Sequence, residues 1–243
     1  LGREVVGRTW LDAGMVRAMN LHRLLLRRGT PIRVGLIGAG KFGAMFLSQV
    51  PTTPGLQVAA IADRDVARAR SACRNVGWDS TRIAQTIFVD SGHELISLAD
   101  IDVVVEATGD PIAGIDHALA AFTARKHIVM VNVESDALAG PALAKRAEEA
   151  GVIYSLAYGD QPALVCELVD WARCSGFRVV AAGKGTKYLP IYHDVTPDQV
   201  WQHYGLSQAQ AEAGGMNPRL FNSFLDGTKS AIEMAAIANA CDL

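Results

Sequence analysis

The stretch IRVGLIGAGKFGAMFLSQV, residues 32–50, decides how the rest of the chain reads. Its first part is an apolar run (Ile32, Val34, Leu36, Ile37). Its middle is Gly38-Ala39-Gly40-Lys41-Phe42-Gly43, and beyond it Phe42, Met45, Phe46 and Val50 recur at helical spacing. Strand, glycine turn and helix follow in the order that a bound diphosphate requires. Gly38 permits the tight turn, Gly40 has no Cβ to hold a phosphate away from the backbone, and Gly43 lets the helix pack on the strand. The helix N-terminus, at Lys41 and Phe42, then offers free N–H groups to the anion.

A glycine turn of this kind is common, and its neighbours make it specific. A second strand-like run, Leu56-Gln57-Val58-Ala59-Ala60-Ile61-Ala62, ends at Asp63. An acid there, about 20 residues past the turn, is placed to accept the hydroxyls of an adenosine ribose. The carboxylate favours NAD, whereas Arg64 beside it suits the 2′-phosphate of NADP. The cofactor is therefore expected to be NADP or NAD.

Outward from this core the units alternate. The spacing predicts helices at 41–50 and about 65–76, a looser region at 77–100 with a short strand at 87–89, and a strand at 101–107. A helix from Pro111 to about Arg125, a strand at 127–132, a helix at 139–150 and a strand at 152–155 follow. Alternating βα units with apolar β-branched strands imply a parallel sheet covered on both faces. The fold class is thus α/β, a Rossmann-type doubly wound parallel sheet followed by a partial α+β substrate domain. The expected organisation is an N-terminal extension with a basic lead-in helix (1–30), a dinucleotide-binding domain (31–157) and a substrate domain (158–243). In that last region a helix is expected at 163–173, a strand at 177–182, polar, aromatic loops holding Tyr192, His193, Trp201, His203 and Tyr204, and a final helix. Because the chain starts at Leu1 and stops almost on a helix, it is expected to be cut from something longer, with Met19 a plausible natural start and a C-terminal portion missing.

Composition narrows the function classes. Hydrophobic residues make up 50% of the 243 and charged ones 20%, and the net charge is −2, so no basic excess points to nucleic acid or an anionic membrane. No apolar run reaches the roughly 18 residues of a membrane span, and no signal peptide is visible. The four cysteines (Cys73, Cys166, Cys174, Cys241) have no metal-ligand spacing and suit a reduced, cytoplasmic protein.

Candidate chemistry is ranked by position, since ligands of open parallel sheets bind at the carboxyl ends of strands. Ala107, Thr108 and Gly109 lie at one such end, and Asn132 and Glu134 at another, beside the expected nicotinamide. Asp160 follows the last sheet strand. Lys184 and Lys187, in Gly183-Lys184-Gly185-Thr186-Lys187, suit an anionic group on a small-molecule substrate. Asp226, Lys229 and Glu233 are spaced three and four apart and are expected on one face of an apolar final helix. Lys229, or Lys184, is the expected general acid, with Asp226 and Glu233 orienting it.

Taken together, RVGLIGAGKFGAMFL, VVVEATGDP, HIVMVNVESDALAG, YSLAYGDQPALVCELVDWAR, AAGKGTKYLP and FNSFLDGTKSAIEMAAIANA resemble the homoserine dehydrogenase-like oxidoreductases. The nearest branch is the 1-deoxy-D-xylulose-5-phosphate reductoisomerase-like one, whose longer members end in a SAF domain. The resemblance covers about residues 19–243. It implies NAD(P)H-dependent reduction of a small polar carbonyl compound. Asn132-Val133-Glu134-Ser135 is similar to the Asn-Lys-Glu-Ser of true reductoisomerases, with Val133 replacing the lysine. Asp160 matches their first metal-binding Asp, but Pro162 stands where their Glu is expected, so a divalent metal is left open. Asp226 and Lys229 resemble the Asp…Lys pair of homoserine dehydrogenases, with one residue fewer between them. A homo-oligomer is expected. The competing reading is a nucleotide-sensing or assembly module that binds NAD(P) without catalysis.

Overall fold

The computed structural model describes residues 20–243, and the first part of the expected N-terminal extension, with Met19, lies outside the described residues. The chain divides into two compact units, the first ending at Thr108 and the second running from Gly109 to Leu243.

In the first unit a short helix, α1 (Leu21–Leu26), precedes strand β1 (Ile32–Ile37), helix α2 (Lys41–Gln49) and strand β2 (Leu56–Ala62). Helices α3 (Val66–Asn75) and α4 (Ser80–Gln85), strand β3 (Ile87–Val89), helix α5 (Gly92–Ser97) and strand β4 (Val103–Glu106) complete it. α4 is an addition to the expected loop, started by Asp79, whose side chain accepts from the N–H of Arg82. The strands pair in parallel in the order β3-β2-β1-β4. Their middle residues (Leu36, Ala60, Ile61, Val104) are fully enclosed, as the β-branched, apolar composition requires. Chain order reverses at β1, which has β2 on one side and β4 on the other. The carboxyl end of β1 is therefore the switch point where such sheets bind ligands.

In the second unit Asp110 caps helix α6 (Pro111–Thr123) by accepting from the N–H groups of Ile112 and Ala113. Strand β5 (His127–Met130) leads to helix α7 (Val133–Ala150), and strand β6 (Tyr154–Leu156) pairs in parallel with β5. Helix α8 (Gln161–Cys174), which Asp160 caps, is followed by an irregular stretch and the short helices α9 (Val200–Tyr204) and α10 (Gln208–Ala213). The unit ends with α11 (Pro218–Leu225) and α12 (Thr228–Cys241). Val169 of α8 and Ile237 and Cys241 of α12 form a buried cluster, with Val179, Ala182 and Met234 against it.

Three expectations are corrected here. α7 begins at Val133 rather than 139 and carries Pro141 inside it. Proline supplies no N–H for the carbonyl four residues back, Ala137. The amide of Asn239 on α12 donates to Ala137 O at 3.4 Å and to Asp136 O at 2.9 Å instead. The expected strand at 177–182 has no ladder partner among the described residues; Val179 and Ala182 pack inward while Phe177 and Val180 stay exposed. Finally, Tyr192 and Trp201 are not loop groups. They build a satellite core with Val195, Val200, Ala211 and Leu225.

Candidate functional site

The glycine turn sits at the switch point of the first unit. Gly38 adopts φ +95°, the left-handed region, and its N–H donates to Ala62 O at 2.8 Å. A Cβ on Gly38 would lie 2.6 Å from Ala107 O, and one on Gly43 would lie 2.3 Å from Gly38 O. A Cβ on Gly40 would meet no atom within 4 Å. Two glycines thus serve close packing of backbone, and the third fronts open space at the N-cap of α2. That is the cradle a diphosphate fits: backbone donors, the helix N-terminus, and room where a methyl group would intrude.

Asp63, at the end of β2, is 6% exposed and turned toward this cradle. Its Oδ2 accepts from Ala39 N–H and its Oδ1 from Asp65 N–H, each at 2.9 Å. Arg68, in the first turn of α3, donates to both oxygens at 2.8 and 2.9 Å. Burial pushes the Asp63 carboxyl up, but the two backbone N–H groups and the guanidinium outweigh it and hold the group below the usual carboxylate range. Arg68 is a residue that sequence reasoning missed in favour of Arg64, which is exposed. Its position three residues past the helix cap Asp65 was the available signal. At the end of β4, Glu106 is fully buried and accepts from the Thr108 hydroxyl at 2.5 Å.

The second unit gathers the charged residues differently from expectation. Asp226 does not share a helix with Lys229 and Glu233. It ends α11, where it accepts from Asn222 Nδ2 and Thr228 N–H, and Gly227 at φ +87° breaks the chain before α12. Burial raises the Asp226 carboxyl, and the Thr228 and Asn222 hydrogen bonds more than reverse it, so it lies below its ordinary value. Lys229 ion-pairs with neither expected neighbour. Its Nζ lies 3.1 Å from Oε1 of Glu134, which sits in the first turn of α7. There the helix dipole favours a negative charge.

Lys184 forms a second ion pair, with Glu233 of α12; the side chains are 17% and 5% exposed. The loop reaches this point because Gly183 lies against Met234, where a Cβ would come within 2.9 Å of its terminal methyl. The Lys184 N–H also donates to Met234 Sδ at 3.4 Å. Lys184, Lys229 and Glu233 line one cavity of about 370 Å³ with Asp160, Gln161, Thr186, Phe224 and Ser230. Gln161, Thr186, Phe224 and Ser230 are further groups not singled out in the sequence, since none of them is ionisable. Lys187 is exposed and does not line the cavity. Asn132 is buried, and its amide donates to Asp110 O at 2.7 Å. Among the described residues no cluster of three or more His, Cys, Asp or Glu side chains could hold a metal ion.

A parallel sheet with a glycine turn at its switch point and an acid closing the next strand defines the dinucleotide-binding oxidoreductase class. The family described as "Oxidoreductase family, NAD-binding Rossmann fold" matches residues 32–158, and "Oxidoreductase DRL, catalytic domain" matches 159–243. The chain belongs to the first of these, the GFO/IDH/MocA family, and carries its NAD-binding fold. Inositol 2-dehydrogenase 2 of Paenarthrobacter aurescens strain TC1 is 41% identical over 81 residues, which are 33% of this chain and 22% of that protein. The chain therefore spans a minor part of that relative. Among solved structures, a homoserine dehydrogenase from Thiobacillus denitrificans is 19% identical with a TM-score of 0.50, over 60% of this chain and 34% of that one. A myo-inositol dehydrogenase from Lactobacillus casei, in complex with NAD(H) and myo-inositol, is 17% identical with a TM-score of 0.47, over 60% and 42%. The likeness to the homoserine dehydrogenase speaks to the fold alone. No described helix is long and apolar enough to cross a membrane.

Proposed function

We propose that this chain works as an NAD(P)-dependent oxidoreductase on a small hydroxy or keto compound, with the dinucleotide on the glycine turn and the substrate in the Lys184–Lys229 cavity. When bound, the nicotinamide supplies or takes up the hydride. The chain's own residues bind and orient the substrate and handle the proton at its oxygen. Lys229 is the general acid toward the developing alkoxide. Glu134 positions it by holding its Nζ at 3.1 Å. Lys184 is the more confined of the two lysines and is tied to buried Glu233, which suits it to positioning. The observation that carries this reading is a cavity lined by two lysines, each with its own glutamate, in a chain that also carries the dinucleotide cradle.

Of the two narrower activities implied by the resemblance, homoserine dehydrogenase-type hydride transfer is favoured over reductoisomerisation. Pro162 is buried within α8 and offers no second ligand beside Asp160, whose side chain caps that helix. The test is dinucleotide-linked turnover across hydroxy and keto compounds. Lys229→Ala is expected to lower kcat by about 10²–10⁴-fold while the dinucleotide Kd stays constant. Glu134→Gln should shift the pH profile of kcat more than KM. Undiminished turnover in Lys229→Ala removes this lysine from the chemistry. Dinucleotide binding without turnover of any substrate favours the sensing module.

A further inference from the structure

We infer that a cavity at the amino end of β2 is a binding site for a small organic monocarboxylate, separate from the dinucleotide cradle and independent of the oxidoreductase reading.

Leu56, Gln57 and Val58, the first three residues of β2, line a cavity of about 250 Å³ in the first unit. Asp63 follows the last residue of the same strand, so this cavity and the cradle lie at opposite ends of it. Hydride chemistry belongs at the carboxyl ends of the strands, and the occupant here is therefore not the redox substrate.

No aspartate or glutamate lines the cavity, and its one charged group is Arg82 of α4. Arg82 is half-buried, with its guanidinium carbon 5.5 Å from the centre of the Trp78 ring, a contact that uses none of its N–H donors. It has no carboxylate partner in an ion pair among the described residues. Asp79 accepts from its backbone N–H to cap α4 and does not line the cavity. Trp78 is itself fixed in place, buried with its indole N–H donating to Leu47 O at 2.8 Å.

Thr53 and Thr86 also line the cavity, and their hydroxyls donate to Gln49 O at 3.0 Å and Arg82 O at 2.9 Å. The donors left for a ligand are the Arg82 guanidinium and the side-chain amides of Gln57 and Gln85, which bond to no other described residue. A planar fork of N–H groups beside two neutral amides matches the two oxygens of a carboxylate. A monocarboxylate meets the single cation charge for charge. A phosphate monoester, with about 1.5–2 negative charges at pH 7, is left under-neutralised. Val58 and the Trp78 ring offer apolar surface to the body of the ligand. The volume falls below the roughly 300 Å³ at which pockets for drug-sized ligands begin, so the occupant is small.

The probe is benzoate, with uncharged benzamide of the same shape and phenylphosphonate beside it. Each is titrated against the whole chain by ligand-observed proton NMR, with NAD at saturation to keep it off the glycine turn. Wild type should bind benzoate saturably, about tenfold or more tighter than either of the others. Arg82→Gln should weaken benzoate by about tenfold. Gln85→Glu should do the same by placing a carboxylate against the probe, at an exposed position that the fold tolerates. Should Arg82→Gln fail to fold, Gln85→Glu alone decides. No saturable benzoate binding, binding no tighter than benzamide's, or an affinity unchanged in the folded variants overturns the inference. Tighter binding of phenylphosphonate than of benzoate overturns it as well.

Discussion

Gly40 and Gly43 stand three residues apart in one turn, yet a methyl group would meet opposite surroundings at the two positions. Gly40→Ala places its Cβ where no protein atom lies within 4 Å, at a φ of −71° that any residue adopts. The fold should persist with an unchanged melting temperature while dinucleotide affinity falls by about tenfold or more, since the added group occupies the diphosphate's space. Gly43→Ala places its Cβ 2.3 Å from Gly38 O, and backbone must move. Its stability should fall by about 1–3 kcal/mol along with affinity. Calorimetric titration beside thermal unfolding separates the two, and a Gly40→Ala chain that binds NAD like wild type dissolves the cradle assignment. At Asp63 the four acceptor positions of a carboxylate are taken by Ala39, Asp65 and two bonds from Arg68. A ribose can bond there only as Arg68 yields, and the guanidinium, whose side chain is 61% exposed, is available to a 2′-phosphate. Arg68→Ala should shift the ratio of NAD to NADP affinity toward NAD by about tenfold. An unaltered ratio assigns the choice to another residue.

Among the elements, α7 shows how one helix is held by its neighbours. Pro141 opens its hydrogen-bond ladder, and Asn239 of α12 closes the gap. One turn before the proline, Asp136 is 3% exposed; Tyr154 of β6 donates to its Oδ1 at 2.8 Å, while its buried Oδ2 has no hydrogen-bond partner. Burial pushes this carboxyl up, and the Tyr154 hydroxyl offsets only part of that. A folded-state value above the unfolded one means the native state holds the proton more tightly. The resulting stability is present in acid below the unfolded value and is lost as pH rises through the folded value. Asp136→Asn removes that loss and keeps an acceptor for Tyr154. The variant should be more stable than wild type near neutral pH, by about 1 kcal/mol, with the difference closing in acid. Urea unfolding across that range measures it, and a variant less stable at neutral pH would show that the carboxylate is compensated by a partner such as water.

Over the whole molecule, one unit carries the dinucleotide cradle and the other a cavity lined by two paired lysines. What was legible in the sequence follows this division. The cradle's strand, turn and helix are contiguous and its acid is 24 residues from Ala39 at the end of the next strand, so all of them could be read directly. The cavity depends on partners far apart in the chain. Lys229 is 95 residues from Glu134, and Lys184 is 49 from Glu233. Helical spacing alone joined Lys229 to Asp226 and Glu233, because periodicity cannot register that Gly227 turns the backbone between two helices. It also made a strand of 177–182, since an alternating apolar stretch reads the same whether or not a neighbour is there to pair with it. The residues alone determined the α/β class and the anion-ready turn, since backbone stereochemistry and local hydrogen bonding decide both. Only the tertiary structure decided which carboxylate each lysine meets, because an ion pair between distant elements is settled by how those elements pack.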